Sequence, residues 1–285
     1  MAGGVISTSI VLLVLLSALM HAGWNYMVKA SPDGQLDTVG LAMGGSALAA
    51  CLLPFVPLPA DASLPWLAIT VFVHIGYFVA LIETYRRADL SLAYPLMRGS
   101  SPVLVSLVAP LMGETVSRGL MSGILLVGLG IMLPAWIGVR RGAVNRTGLL
   151  FGMVNAVIIA TYTVIDGIGV RLAGNAISYT LWLFFLDAWG IFAIAAWRRG
   201  TLPVLSHLRQ CWRLALAGSV LTVGSYGIVL WAMSNASIPA VAALRETSVV
   251  FAALLGTWLL KERMGRWRMT GAALVAVGAV LIRWG

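Results

Sequence analysis

Ten stretches of mostly apolar residues dictate what this chain can become: 5–28, 36–57, 64–86, 91–112, 118–139, 147–171, 176–198, 211–234, 238–260 and 267–283. Each is close to the roughly 20 residues that a helix needs to cross the hydrocarbon core of a bilayer. In lipid every backbone polar group must be satisfied within the segment, so such runs become helices. The connections are short, and the longest polar stretch lies near Arg198–Arg213, which leaves no room for a soluble domain. A mean hydropathy of +0.94 with only 10% charged residues excludes a soluble globular fold. The reading is an all-α integral membrane protein of ten transmembrane helices.

The stretch from Ala88 to Leu133 returns from Ser234 onward. Arg98 aligns with Arg245, Gly113-Glu114 with Lys261-Glu262, and Gly123 and Gly130 with Gly271 and Gly278, with one gap. Each copy is an apolar helix with an internal arginine, a short charged turn, and a glycine-bearing apolar helix. Five spans precede the Arg140-Arg141-Gly142 loop and five follow it, giving repeats at 1–142 and 143–285. An odd number of spans sends the second repeat into the membrane upside down, the inverted architecture found in transporters.

The formal charge of +9 does not point to nucleic acid, because the basic residues cluster in short loops between apolar runs. Loops after alternate spans hold Lys29, Arg86, Arg87, Arg140, Arg141, Arg146, Arg198, Arg199, Arg209, Arg213, Lys261, Arg263, Arg266 and Arg268, against Arg118, Arg171 and Arg283 opposite. The positive-inside rule makes the first set cytoplasmic and puts both termini outside. The surroundings are then membrane lipids, with a bacterial inner membrane as the expected location.

Arg98 and Arg245 each stand seven residues into their spans. At about 1.5 Å per residue, each lies on the order of 10 Å from opposite faces, near mid-depth. An arginine there is expensive, about 2.5–3.5 kcal/mol on insertion scales. Guanidinium suits bidentate capture of carboxylate or phosphate. The two are therefore an expected anion-binding pair, set against a purely structural role in which Glu246, Asp187 or Glu83 neutralises them. Asp187 is read first as an arginine counter-ion, with Asp187, Glu83 and Asp166 as candidates for proton coupling.

Pro95, Gly99 and Pro102 bracket Arg98 and predict a bend or hinge in span 4. Span 9 carries a polar turn, Arg245-Glu246-Thr247-Ser248. In span 1, His21, Asn25 and Lys29 repeat every four residues along one stripe, and with Thr247 and Tyr162 are expected to shape a cavity. Glu114 and Glu262 precede spans 5 and 10, where a carboxylate favours a helix N-terminus. The three histidines and the cysteines Cys51 and Cys211 show neither metal-ligand nor disulfide spacing, and no nucleotide-binding or catalytic motif is present. No cofactor, metal or catalytic residue is expected. Transport by hydrolysis of ATP within the chain is excluded.

The passages Ser17 to Asn25, Pro102 to Glu114 and Ser248 to Glu262, with the glycine spacing of spans 5 and 10, resemble the EamA family of the drug/metabolite transporter superfamily. That resemblance implies two five-helix bundles around a central cavity and secondary transport of small metabolites, frequently export of amino acids or related compounds. Its members usually have both termini cytoplasmic, opposite to the loop charge here. The two internal arginines make the chain look more like sugar-phosphate carriers or EamA relatives associated with phosphonate utilisation. The expected function is secondary transport of a small polar, anionic or zwitterionic metabolite by alternating access, driven by a proton or counter-substrate. The alternative is a membrane enzyme acting on a lipid or isoprenoid phosphate.

Overall fold

A computed structural model describes residues 6–87, 90–139, 146–259 and 265–285. Among them the chain is helical and without strands. The helices are α1 (Thr8–Lys29), α2 (Gly34–Leu52), α3 (Leu64–Arg87), α4 (Leu90–Val108), α5 (Arg118–Val139), α6 (Arg146–Leu172), α7 (Ala176–Arg199), α8 (Thr201–Gln210), α9 (Trp212–Asn235), α10 (Ile238–Arg245), α11 (Ser248–Leu259) and α12 (Arg266–Trp284). Side-chain caps start several of them. Ser7 Oγ accepts from Ile10 N–H at 3.3 Å, Asp33 from Leu36 N–H at 3.2 Å, and Asn175 from Ser178 N–H at 3.0 Å.

Where they are described the apolar runs fall mostly on helix, and among the described residues eight helical segments are long and apolar enough to cross a membrane, with α10 and α11 counting as one. The two others are α4, diluted by Arg98, its serines and its prolines, and α12, which carries Arg266, Arg268 and Arg283. Large apolar side chains such as Phe72, Leu129 and Trp258 point outward, while Asn155, Asp166, Arg98 and Glu246 are buried. A polar interior wrapped in an apolar surface is the arrangement a lipid solvent selects.

The helices associate in a pattern that exchanges the two halves. α5 packs along α12 and α2 along α7; α3 and α4 flank α6 as α9 and α11 flank α1. The α5–α12 seam is the tightest. A methyl on Gly130 would sit 2.6 Å from the Gly271 carbonyl oxygen, and one on Gly278 would sit 2.7 Å from that of Gly123. Backbone touches backbone there, and only glycine permits it.

One end of the bundle gathers both termini and the 57–60, 173–176 and 235–238 connections. Ile6 N–H donates to the Arg283 carbonyl at 3.2 Å, Ser117 bonds to Gly285, and Ser178 Oγ donates to the Pro57 carbonyl at 2.6 Å. The other end carries Arg86, Arg87, Arg198 and Arg199, tied to Glu83 and Asp33.

Span 9 is where the membrane helices break. Glu246, Thr247, Val249 and Val250 each donate to the residue three before them, and Thr247 Oγ1 donates to the Leu244 carbonyl at 2.7 Å. That over-tightened turn separates α10 from α11. Span 4, expected to bend, stays one helix through Pro95 and Pro102. Gly99 lies against Gly128 and Met132 of α5, so its missing side chain serves close packing.

Candidate functional site

The break in span 9 and the middle of α4 bring both internal arginines into the interior, where Arg98 is 4% and Arg245 5% exposed. Arg98 Nε lies 2.8 Å from Glu246 Oε2, Nη2 donates to Ser248 Oγ at 3.2 Å, and the same nitrogen stands 3.4 Å from His21 Nε2. Arg245 is held differently. Its Nη2 donates to Tyr162 Oη at 3.2 Å, and its guanidinium carbon sits 5.5 Å from the Tyr226 ring centre, a cation–π distance. Among the described residues no carboxylate pairs with Arg245, and its buried Nε has no hydrogen-bond partner. His21 and Glu246 are each within electrostatic reach of both arginines.

A second buried cluster adjoins Arg245. His74 Nδ1 is 2.6 Å from Asp187 Oδ2, and His74 Nε2 is 3.5 Å from Asp166 Oδ2. Tyr226 donates to Asp166 Oδ2, and Tyr179 donates to Asp166 Oδ1 at 3.2 Å. The His74 ring meets Tyr162 edge-on at 4.5 Å. Tyr162 and Tyr226 therefore each touch both clusters. The carboxylates come from α6 and α7, the imidazole from α3 and the phenols from α6, α7 and α9, so six residues of this cluster are assembled from four helices.

Residues 146–284 match the EamA-like transporter family. The match covers the second half of the chain. A search of proteins with curated function finds no match. One solved crystal structure superposes with a TM-score of 0.70 over 96% of this chain and 95% of its own, at 19% identity, a likeness of fold. The second half is thus similar to EamA-like transporters, and the eight long apolar helical segments among the described residues fit an integral membrane protein.

Of the residues expected to form a transporter's cavity, His21, Arg98, Tyr162, Arg245, Glu246 and Thr247 lie at or beside this interior cluster. Asn25 is turned to its own helix, its amide donating to the His21 carbonyl at 2.7 Å. Two counter-ion expectations are corrected. Asp187 meets His74, because α7 packs on α3 and presents it there. Glu83 sits at the basic end of α3, where it pairs with Arg86, Arg87 and Arg198 at 3.0–3.3 Å, far along the helix from mid-depth. Glu114 does cap a helix, but in the other half: it accepts from Ile238 N–H at 3.1 Å and Ser237 Oγ at 3.0 Å, and pairs with Arg171 at 2.6 Å. Glu262, Lys261 and the Arg140–Gly142 loop lie outside the described residues.

The sequence reading passed over His74 and Tyr226. Histidine at mid-span was the available signal for the first; nothing in the sequence distinguished the second. A recess of about 650 Å³ opens at the basic end, lined by Gln35, Ile82, Arg86, Trp197, Arg198 and Arg199. The two central arginines are packed by protein groups, so this conformation is closed around them.

Proposed function

We propose that this chain is a secondary transporter that carries a small anionic or zwitterionic metabolite by alternating access, with Arg245 as the group that binds the anion. The unpaired state of Arg245 is the observation that supports this most. A buried charge costs several kcal/mol unless compensated. Arg98 lies in ion-pair contact with Glu246 at 2.8 Å, whereas Arg245 is within electrostatic reach of that carboxylate without pairing with it, bonds a phenol, and has an Nε without a hydrogen-bond partner. A carboxylate, phosphate or phosphonate entering between α4 and α10 would complete that coordination bidentately. Arg98, His21, Ser248 and Thr247 would form the opposite wall.

The architecture proposed is ten spans in two inverted five-helix repeats, 1–142 and 143–285. The seam of α5 and α12 supports it. Gly123 touches Gly278 and Gly130 touches Gly271, so each glycine meets the partner of its own repeat equivalent, as residues do across a two-fold axis. The halves would rock about that axis, with the 246–247 break and the proline-bearing α4, at Pro95, Gly99 and Pro102, as the yielding elements. By the positive-inside rule the arginine-rich end faces the cytoplasm and both termini lie opposite, in a bacterial inner membrane.

The coupling ion in this reading is a proton held by His74, Asp166 and Asp187. Facing that trio are Thr70 of α3, Tyr162 of α6, Tyr179 of α7, Tyr226 of α9 and Arg245 of α10, with Tyr77 of α3 and Tyr94 of α4 in the packed group around Tyr162. Tyr226 touches both Asp166 and Arg245, so a proton gained or lost on the acids alters the setting of the anion site directly. The match to EamA-like transporters favours transport over an enzyme acting on a lipid phosphate.

The test is uptake by purified protein in liposomes, screened over small carboxylates, phosphates and phosphonates. A hit should be abolished by Arg245→Gln while the protein still inserts and elutes as a folded species. Uptake unchanged by that substitution would overturn the assignment.

A further inference from the structure

A cluster away from the interior site is built from α2 and the end of α8. His207 and Cys211 stand four residues apart, so the last turn of α8 presents both on one side, and Cys211 N–H closes that turn on the His207 carbonyl at 2.9 Å. Opposite them, in the first turn of α2, is Asp37, which is 1% exposed. One donor atom from each of the three lies within 4.8 Å of the others. His207 Nε2 is 2.7 Å from Asp37 Oδ1. The second carboxylate oxygen, Oδ2, is buried without a hydrogen-bond partner, a state that costs roughly 1–3 kcal/mol.

We propose that Asp37, His207 and Cys211 bind a divalent transition metal of the zinc class at the arginine-rich end of the bundle. One imidazole nitrogen, one thiolate and one carboxylate oxygen make a mixed donor set that suits a tetrahedral Zn²⁺ with water in the fourth position. Ca²⁺ and Mg²⁺ require oxygen shells and are not served by it. At zinc bond lengths of about 2.0–2.3 Å, tetrahedral donors stand roughly 3.3–3.8 Å apart. The Asp37–His207 pair opens by about half an ångström to admit the ion, and the widest pair closes by about one. Side-chain rotation supplies both movements. The orphaned Asp37 oxygen gains a partner, and the two acidic donors offset the metal's charge.

The consequence is mechanical. α8 connects α7 to α9 and touches α2, α7 and α9. Without metal its end meets α2 at Asp37, through His207 Nε2 at 2.7 Å and the Cys211 thiol. A bound ion ties it covalently on two sides and makes the α7–α9 connection follow α2.

The experiment uses the whole purified chain, stripped with a chelator and then loaded with Co²⁺ or Zn²⁺. Wild type should hold about one equivalent through gel filtration, as a three-residue site predicts. Co²⁺ should give a thiolate-to-metal absorption band. Cys211→Ser should remove the band, Cys51→Ser should keep it, and His207→Gln should weaken Co²⁺ binding on the order of tenfold to a hundredfold. Because Asp37 is buried, Asp37→Asn is read only after its elution profile matches wild type. Absence of the band in wild type, or a band that survives Cys211→Ser, overturns the site. Transport activity is not the readout, so this result stands apart from the anion assignment.

Discussion

The two arginine-bearing helices, which hold equivalent places in the proposed repeat, differ in how their charge is met. Arg98 of α4 is followed by glycine, while Arg245 of α10 is followed by glutamate, and that glutamate turns to the other copy's arginine. One carboxylate is thus spent on Arg98, and Arg245 is left among tyrosines. In the proposed repeat a single divergent position, Gly99 against Glu246, gives Arg98 an ion-pair partner that Arg245 lacks. The lesson is that an intramembrane charge cannot be assigned a role by its depth alone. What decides the role is whether a neighbouring helix provides the compensating group.

Several changes would break or sharpen this contrast. The largest effect is expected from Glu246→Gln, which strands Arg98 without its partner and should lower unfolding stability by about 3–5 kcal/mol. Adding Arg98→Gln to it should restore much of the loss, as measured by denaturant unfolding in detergent. A double variant no more stable than the single one would mean the pair is not the source. Packing of Gly271→Leu against the Gly130 backbone should cost about 1–3 kcal/mol and lower the melting temperature; an unchanged melting temperature would show that the seam yields. Asp187→Asn should be the mildest: uptake without a pH gradient within about twofold of wild type, but acceleration by the gradient lost. If the mutant still responds to the gradient, the proton is carried elsewhere.

Much of the fold was legible because the bilayer reduces structure to runs of apolar residues. Eight of the apolar runs correspond to helical segments long and apolar enough to cross a membrane for that reason. α8 was read as a polar connection, since its ten residues are too few and too polar to announce a helix by hydropathy. The break in span 9 was not legible, for a physical reason. Pro95 and Pro102 remove donors from α4, yet packing against α5 and α6 keeps it continuous, whereas Glu246 and Thr247 break span 9 with no proline near. Arg98, Arg245, His21 and Tyr162 were identifiable as polar groups where lipid forbids them. Their partners were not: Asp187 stands 113 residues from His74, Glu246 is 148 from Arg98, and His207 is 170 from Asp37, so these pairings exist only once helices pack.

The glycine seam between α5 and α12 also limits how such a protein can move. Two backbones in direct contact have no side chains that could re-pack between them, so sliding by a fraction of a turn would drive carbonyls into Cα atoms. That contact behaves as an axle. In the proposed transport cycle, motion that exposes Arg245 would be taken up away from this seam, where α3, α6 and α9 meet through rings and hydroxyls that can exchange neighbours. Spin labels placed across the axle would keep their spacing through the cycle, and labels across the far flank would not.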